Sequence, residues 1–391
     1  MTFKKIIGKI HLWLGLGTGL VVFIIAITGC LYAFQAEIQD ATQPYRFVEP
    51  QLANYLPPSV LKGIAEKELP DKHLHAVEYG LPGKAAQVYF YHFEPSYYYS
   101  VYLNPYTGEV LKVKDMDADF FRIVLMGHYY LWLPPAIGQP LVASATLIFA
   151  IMLVSGIVLW WPKNKAAAKQ RFWLRWKDGL KWKRKNYDLH NVLGFYSSWF
   201  AIVVTLTGLV WGFQWVAKST YWSLGGEKSL LYEEPLSVKT TSPILSTHQT
   251  PAIDRVWALL HKEHPDAQRL EVHVPESDTS VIAANVNPDA ATFWKTDYRY
   301  FDQYSLKELP VDHVYGRFKD ARLADKAIRM NYDIHVGSIF GLPGKILAFL
   351  ISLTVASLPV TGTLIWWGRR KKARLPRPKK RAGQKRKEVE A

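Results

Sequence analysis

The stretch LGLGTGLVVFIIAITGCLYAF, residues 14–34, decides the fold class. With the apolar residues just before it, the run covers 12–34 and has no Asp, Glu, Lys or Arg. A helix needs ~20 such residues to cross a ~30 Å hydrocarbon layer. Lys4, Lys5 and Lys9 precede it, as basic residues precede a signal peptide. The run is too long for the apolar part of a signal peptide, and no small-x-small cleavage site follows it convincingly. It is read as a retained anchor. Three further runs, 141–161, 192–216 and 346–367, pass the same test. The sequence predicts an α-helical membrane protein with four transmembrane helices.

The formal net charge is +15, and its placement matters more than its size. Lys4, Lys5 and Lys9, ten Lys and Arg from Lys163 to Lys185, and twelve from Arg369 to Lys387 hold 25 of the 48 basic residues. The rest of the chain carries 23 basic residues against most of the 33 acidic ones. Base is gathered beside apolar runs, as the positive-inside rule expects, and is not spread over a nucleic-acid-binding face. Nucleic acid is excluded as a partner on this ground. If the N-terminus is cytoplasmic, every basic cluster falls on the cytoplasmic side and both termini lie there. The expected location is a bacterial inner membrane. Segments 35–127 and 218–334 are then periplasmic, 162–188 is a basic cytoplasmic loop, and 368–391 is a basic, disordered tail near anionic lipid.

The spans repeat in pairs. His11 is followed by Gly15 and by Thr28-Gly29, and His190 by Gly194 and Thr207-Gly208 at the same offsets. Ser155-Gly156 leads into Val158-Leu159-Trp160-Trp161, and Thr361-Gly362 into Leu364-Ile365-Trp366-Trp367. His128 and His335 precede those two glycines by nearly equal distances. The expected architecture is two parallel pseudo-repeats about an axis near the membrane normal. Its segments are 1–34, 35–127, 128–161, 162–188, 189–217, 218–334, 335–367 and 368–391.

On this topology His11 and His190 begin outward-running helices near the inner interface. His128 and His335 begin inward-running helices near the outer one. A lone histidine at a span end is ordinarily an interfacial polar residue, but two facing pairs are what six-coordinate haem iron needs. Zinc or copper fits less well, since no Cys or carboxylate stands near to fill the shell. Cys30 is the only cysteine and no CxxCH motif exists, so any haem is non-covalent. The expectation is two b-type haems, the inner held by His11 and His190, the outer by His128 and His335. The span glycines serve either a flat cofactor or close helix packing. Trp13, Trp160, Trp211 and Trp366 line the route or belong to interfacial belts.

Outside the spans, strands are expected at 87–91, 97–103 and from 109, with a turn at Asn104-Pro105-Tyr106-Thr107-Gly108. Further strands are expected at 269–274 and 280–286, with 301–309 as a weaker strand–turn–strand. Helices are expected at 58–68 and 252–263. Each outside segment thus reads as a small α+β module. Tyr97, Tyr98, Tyr99 and Tyr102 serve sheet packing or an aromatic docking surface. No hydrolytic triad, HExxH, Walker A or Rossmann signature occurs.

The chain resembles the PepSY-associated transmembrane helix family in IHLWLGLGTGL from Ile10, ITG at Ile27, LNPYTGEVL from Leu103, LHNVLGFY from Leu189 and DIHVG from Asp333. The resemblance reaches from the N-terminal helix to Arg370. It implies a four-helix inner-membrane core and PepSY-like periplasmic domains. In the ferric-siderophore reductases among its members, it also implies two b-type haems on histidines at helix ends, placing such roles on His11, His190, His128 and His335. The resulting expectation is an oxidoreductase that takes electrons from quinol or a cytoplasmic reductase and reduces a periplasmic ferric siderophore, releasing Fe2+. Other readings are a carrier for a different periplasmic acceptor, or a haemless regulatory or structural membrane protein.

Overall fold

The computed structural model describes residues 2–162, 164, 165, 168, 171–174, 176–239 and 250–374, the last four by backbone alone. The expected disordered tail beyond it lies outside the described residues. Helix α1 (Phe3–Tyr32) carries the first apolar run, and α2 (Gln35–Thr42) turns away from it. Helix α3 (Pro58–Glu68) leads into four antiparallel strands, β1 (Leu74–Tyr79), β2 (Ala86–Phe93), β3 (Ser96–Leu103) and β4 (Val110–Asp115). The expected turn before β4 forms, with Gly108 at φ +77° and the Asn104 side chain accepting from the Tyr106 amide at 3.0 Å. A left-handed φ there favours glycine over any residue with a Cβ.

Helix α4 (Phe120–Tyr130) starts at Asp119, whose carboxylate accepts from the Phe121 amide at 2.9 Å and the Arg122 amide at 3.3 Å. This N-cap satisfies donors that the first turn leaves open. Leu131 and Trp132 at φ 55° and 57° end the helix, and Pro134-Pro135 start α5 (Pro135–Trp160). Next come α6 (Trp182–Gly212), α7 (Gln214–Ser223) and α8 (Ala252–Glu263). Strands β5 (Arg269–His273), β6 (Val281–Asn287) and β7 (Asp297–Asp302) precede α9 (Leu323–His335) and α10 (Gly341–Arg374). The expected helices at 58–68 and 252–263 match α3 and α8.

Four helices are long and apolar enough to cross a membrane, and each carries most of one expected run; the first ends at Tyr32, the second at Trp160 and the third at Gly212, short of the expected 34, 161 and 216. Val22, Ala26, Phe149, Leu153, Ala201, Val355 and Ala356 pack at mid-bundle. At one bundle end Lys4 Nζ donates to the Trp161 carbonyl at 2.8 Å, and Lys183 reaches within 3.9 Å of a Cβ built on Gly368. The described members of the basic clusters therefore gather at one end, and the sheet lies at the other.

The two outside segments do not form two separate sheets. Strand β1 pairs antiparallel with β5, giving one seven-stranded sheet in the order β4-β3-β2-β1-β5-β6-β7. One face is apolar: Val77, Val88, Phe90 and Val101 pack with Leu61 of α3, and Val272, Ile282 and Phe301 with Val256 and Leu260 of α8. Trp257 touches both clusters. Asp254 of α8 ties the halves again, accepting from the Ser59 amide at 2.8 Å and its hydroxyl at 2.5 Å. Of the expected strand–turn–strand at 301–309, the first part belongs to β7, and Phe301 bridges back to Glu308.

Candidate functional site

The four histidines come together as two pairs inside the bundle, though none begins a membrane helix. His11 and His190 lie in the third turns of α1 and α6. His128 lies near the end of α4, and His335 is the last residue of α9. The backbone breaks at Leu131–Trp132 and at Gly337 separate those two short helices from the spans that follow. Proline and left-handed residues interrupt the helices there, which the apolar pattern alone leaves invisible.

Each histidine docks on a hydroxyl-glycine dipeptide of another helix. His11 Nδ1 lies 2.8 Å from Ser155 Oγ, and His190 Nδ1 2.8 Å from Thr361 Oγ1. His128 Nδ1 meets the Ile25 carbonyl at 2.8 Å and Thr28 Oγ1 at 3.2 Å. His335 Nδ1 meets the Val204 carbonyl and Thr207 Oγ1, both at 3.0 Å. A Cβ added to Gly156, Gly362, Gly29 or Gly208 would stand 3.3–3.5 Å from the Cε1 of the docked ring. These glycines therefore seat imidazoles. Gly15, Gly19 and Gly194 instead face Met152, Pro359 and Leu358 in ordinary helix packing.

The partners assign the tautomer. A carbonyl only accepts, so Nδ1 of His128 and of His335 carries the proton. Ser155 Oγ donates to the Met152 carbonyl at 3.0 Å and Thr361 Oγ1 to the Ser357 carbonyl at 3.0 Å. Those hydroxyl protons are spent, so the oxygens accept from Nδ1–H of His11 and His190. A neutral imidazole so held keeps Nε2 as an unprotonated acceptor. None of the four Nε2 atoms has a hydrogen-bond partner among the described residues.

Each pair lines a cavity. That of His11 and His190 measures about 350 Å³, with Met152, Trp160, Tyr187, Asn191, Phe195 and Arg369 among its walls. That of His128 and His335 measures about 360 Å³ and includes Tyr32, Tyr129, Trp211 and Tyr332. The rings of His128 and His335 are 6.1 Å apart between centroids. Val22 and Phe149 line both cavities, so the two are stacked along the bundle. Volumes of this size suit small organic ligands, and the walls are mainly apolar.

The expectation of two b-type haems on His11/His190 and His128/His335 is corrected. Among the described residues no group of three or more His, Cys, Asp or Glu side chains comes together to hold a metal ion. Among the described residues each cavity brings two imidazoles and no further ligand of that kind. Of the four expected tryptophans, Trp160 and Trp211 line cavities and Trp13 and Trp366 do not. The hydroxyls of Thr28, Ser155, Thr207 and Thr361 went unrecognised as histidine partners. Their signal was present in the repeated hydroxyl-glycine dipeptides. The tyrosines Tyr32, Tyr129 and Tyr332 left no such signal.

No curated protein matches the chain. The model of the PepSY-associated TM region matches residues 9–369, nearly the whole length, with the four spans, the four histidines and both outside segments inside the match. By that match this multi-span membrane protein belongs to the PepSY-associated TM region family.

Proposed function

We propose that the chain is an inner-membrane oxidoreductase that passes electrons to a periplasmic ferric siderophore, with quinol from the bilayer as donor. The observation that carries this reading is the stacking of two apolar cavities, each with a pair of imidazoles whose Nε2 lone pairs are open. At the cavity of His11 and His190, those lone pairs would accept the hydroxyl protons of a quinol. Oxidation to the quinone releases two electrons and two protons. Reduction of Fe3+ to Fe2+ takes one electron, so one quinol serves two ferric chelates. Hard hydroxamate or catecholate oxygens hold Fe2+ less firmly than Fe3+, and the metal is then released.

A chain of rings supports an exit toward the sheet. His335 lies 5.2 Å from Trp211, Trp211 lies 6.3 Å from Tyr332, and Tyr332 lies 5.2 Å from Phe293. The Arg269 guanidinium stands 5.3 Å over Phe293 and belongs to the polar face of the sheet.

The test is reconstitution in liposomes with a short-chain quinol, a ferric hydroxamate or catecholate outside, and a ferrous-specific chelator as readout. The expected result is ferrous chelate at twice the quinol consumed, lowered at least tenfold by His11→Ala or His190→Ala. Quinol oxidised only when a second soluble electron acceptor is added, with the iron left ferric, points to a carrier for another acceptor. Absence of both reactions overturns the redox reading. The second reading, a regulatory or structural membrane protein, is favoured by the lack of a metal-holding group among the described residues.

A further inference from the structure

The segment between α5 and α6 does not simply bridge them. Arg171 donates to the Trp160 carbonyl and, at 3.2 Å, to that of Leu159, closing the C-terminal end of α5. The Phe172 ring meets Trp160 edge-on at 4.9 Å, and its carbonyl accepts from the Tyr196 hydroxyl at 3.1 Å. Arg171 and Phe172 therefore stand against the last turn of α5 and the side of α6. Helix α6 begins at Trp182.

The outer side of this segment is aromatic and cationic. Trp173 is 66% exposed and Trp182 64%, beside exposed Phe172, Leu174 and Trp176. Such a cluster in water would be an exposed apolar patch of the kind that marks a binding surface. Among the described residues of 171–185, Arg171, Lys177, Lys181, Lys183, Arg184 and Lys185 stand against a single carboxylate, Asp178. Arg184 is the cation already paired, with Asp188 at 2.9 Å. Lys185 lies 5.5 Å over the Trp176 ring, which places charge directly beside the aromatic cluster.

We propose that residues 171–174 and 176–185 bind anionic phospholipid of the leaflet at the basic end of the bundle. Phe172, Trp173 and Leu174 enter the acyl boundary, and Lys177, Lys181, Lys183 and Lys185 hold phosphate headgroups. The surface continues the membrane face of α5 and α6, and its charge complements an anionic leaflet. Aromatic rings are at home at such an interface, and each lysine near an anionic surface adds attraction. The contact has a route inward, because Trp160 touches Phe172 on one side and lines the cavity of His11 and His190 on the other.

Two measurements on the full chain test this. A nitroxide on Leu174→Cys, in a Cys30→Ala background, is expected to be relaxed by oxygen and shielded from a water-soluble nickel chelate. Relaxation by nickel instead overturns the insertion. In bilayers of phosphatidylcholine with phosphatidylglycerol, native mass spectrometry is expected to find phosphatidylglycerol retained at least tenfold over its bulk share. Lys177→Gln, Lys181→Gln, Lys183→Gln and Lys185→Gln together should abolish that preference without moving the Leu174 label. Equal retention of both lipids by the unaltered chain overturns the proposal, whether or not the fourfold variant folds.

Discussion

Glu78 and Glu271 stand directly opposite each other on β1 and β5. Like charges in that position are destabilising, and the structure resolves the conflict by giving the two carboxyls different partners. Burial pushes Glu78 up, out of the usual carboxylate range, with Arg269 at 3.5 Å pulling only partly against it. Burial opposes ionisation of Glu271 too, but His273 at 3.6 Å and Asn285 at 2.8 Å hold that carboxyl below its ordinary value. His273 is raised in return: burial lowers it, and Glu271 more than offsets that. The contributions of Glu78 and His273 to stability are full below their unfolded values and are lost as pH rises through the raised ones. That of Glu271 is present above its unfolded value and is lost as pH falls through the depressed one. The thermal stability of the outside domain should therefore fall from about pH 5 to about pH 8, and Glu78→Gln should flatten that slope. An unchanged slope would place the titration elsewhere. The glycines give a second prediction at this scale. A Cβ at Gly17 meets nothing, whereas one at Gly29 stands 3.3 Å from His128 Cε1. Both changes to Ala gain up to about 1 kcal/mol of helix propensity. Gly17→Ala should raise the unfolding temperature in detergent, and Gly29→Ala should not.

Between elements, the connection from sheet to membrane rests on Asp333 in α9. Its fully buried carboxylate accepts from the Phe293 amide at 3.0 Å, the Trp294 amide at 2.9 Å and the Ser338 hydroxyl at 2.7 Å. One side chain thus joins the loop after β6, the helix that carries His335 and the turn into α10. Asp333→Ala would strand three donors, at a cost of about 3–5 kcal/mol. Limited proteolysis should then find new cleavage near Phe293 before the sheet itself is cut. A protease pattern matching the unaltered chain would show that the joint is held by other contacts. Helices α3, α8 and the spans were legible from their period and length, and so was the turn at Gly108. The short helices α4 and α9 were not: the apolar residues of α4 merge with those of the span that follows, and α9 carries Asp325, Lys326, Arg329 and Asp333 among its apolar residues. The backbone breaks at Leu131–Trp132 and Gly337 mark where each ends.

At the scale of the whole molecule, the outside segments fold as one sheet across the β1–β5 seam. Val77 faces Val272 there, and both are essentially buried. Val272→Ala should cost about 1–3 kcal/mol by lost burial and the cavity left behind. If the sheet is one cooperative unit, amide exchange should quicken in β1 and β2 as well as in β5 and β6. Exchange confined to β5–β7 would mean that the halves open independently. The two cavities belong to this scale as well, since each takes walls from more than two helices.

The sequence by itself determined the membrane class, the four spans, the gathering of base beside them and most strands, because those features are written in local period and composition. It also marked the four histidines and the hydroxyl-glycine dipeptides as recurring features. Only the tertiary structure decided that each dipeptide seats a histidine, that Nδ1 is the bound nitrogen, and that the imidazoles pair beside stacked cavities. It also turned two expected modules into one sheet and left the haem assignment without a metal-holding group among the described residues. Contacts such as His335 with Thr207, or β1 with β5, join residues more than a hundred positions apart. No local pattern encodes such a meeting; the packing of the whole chain selects it.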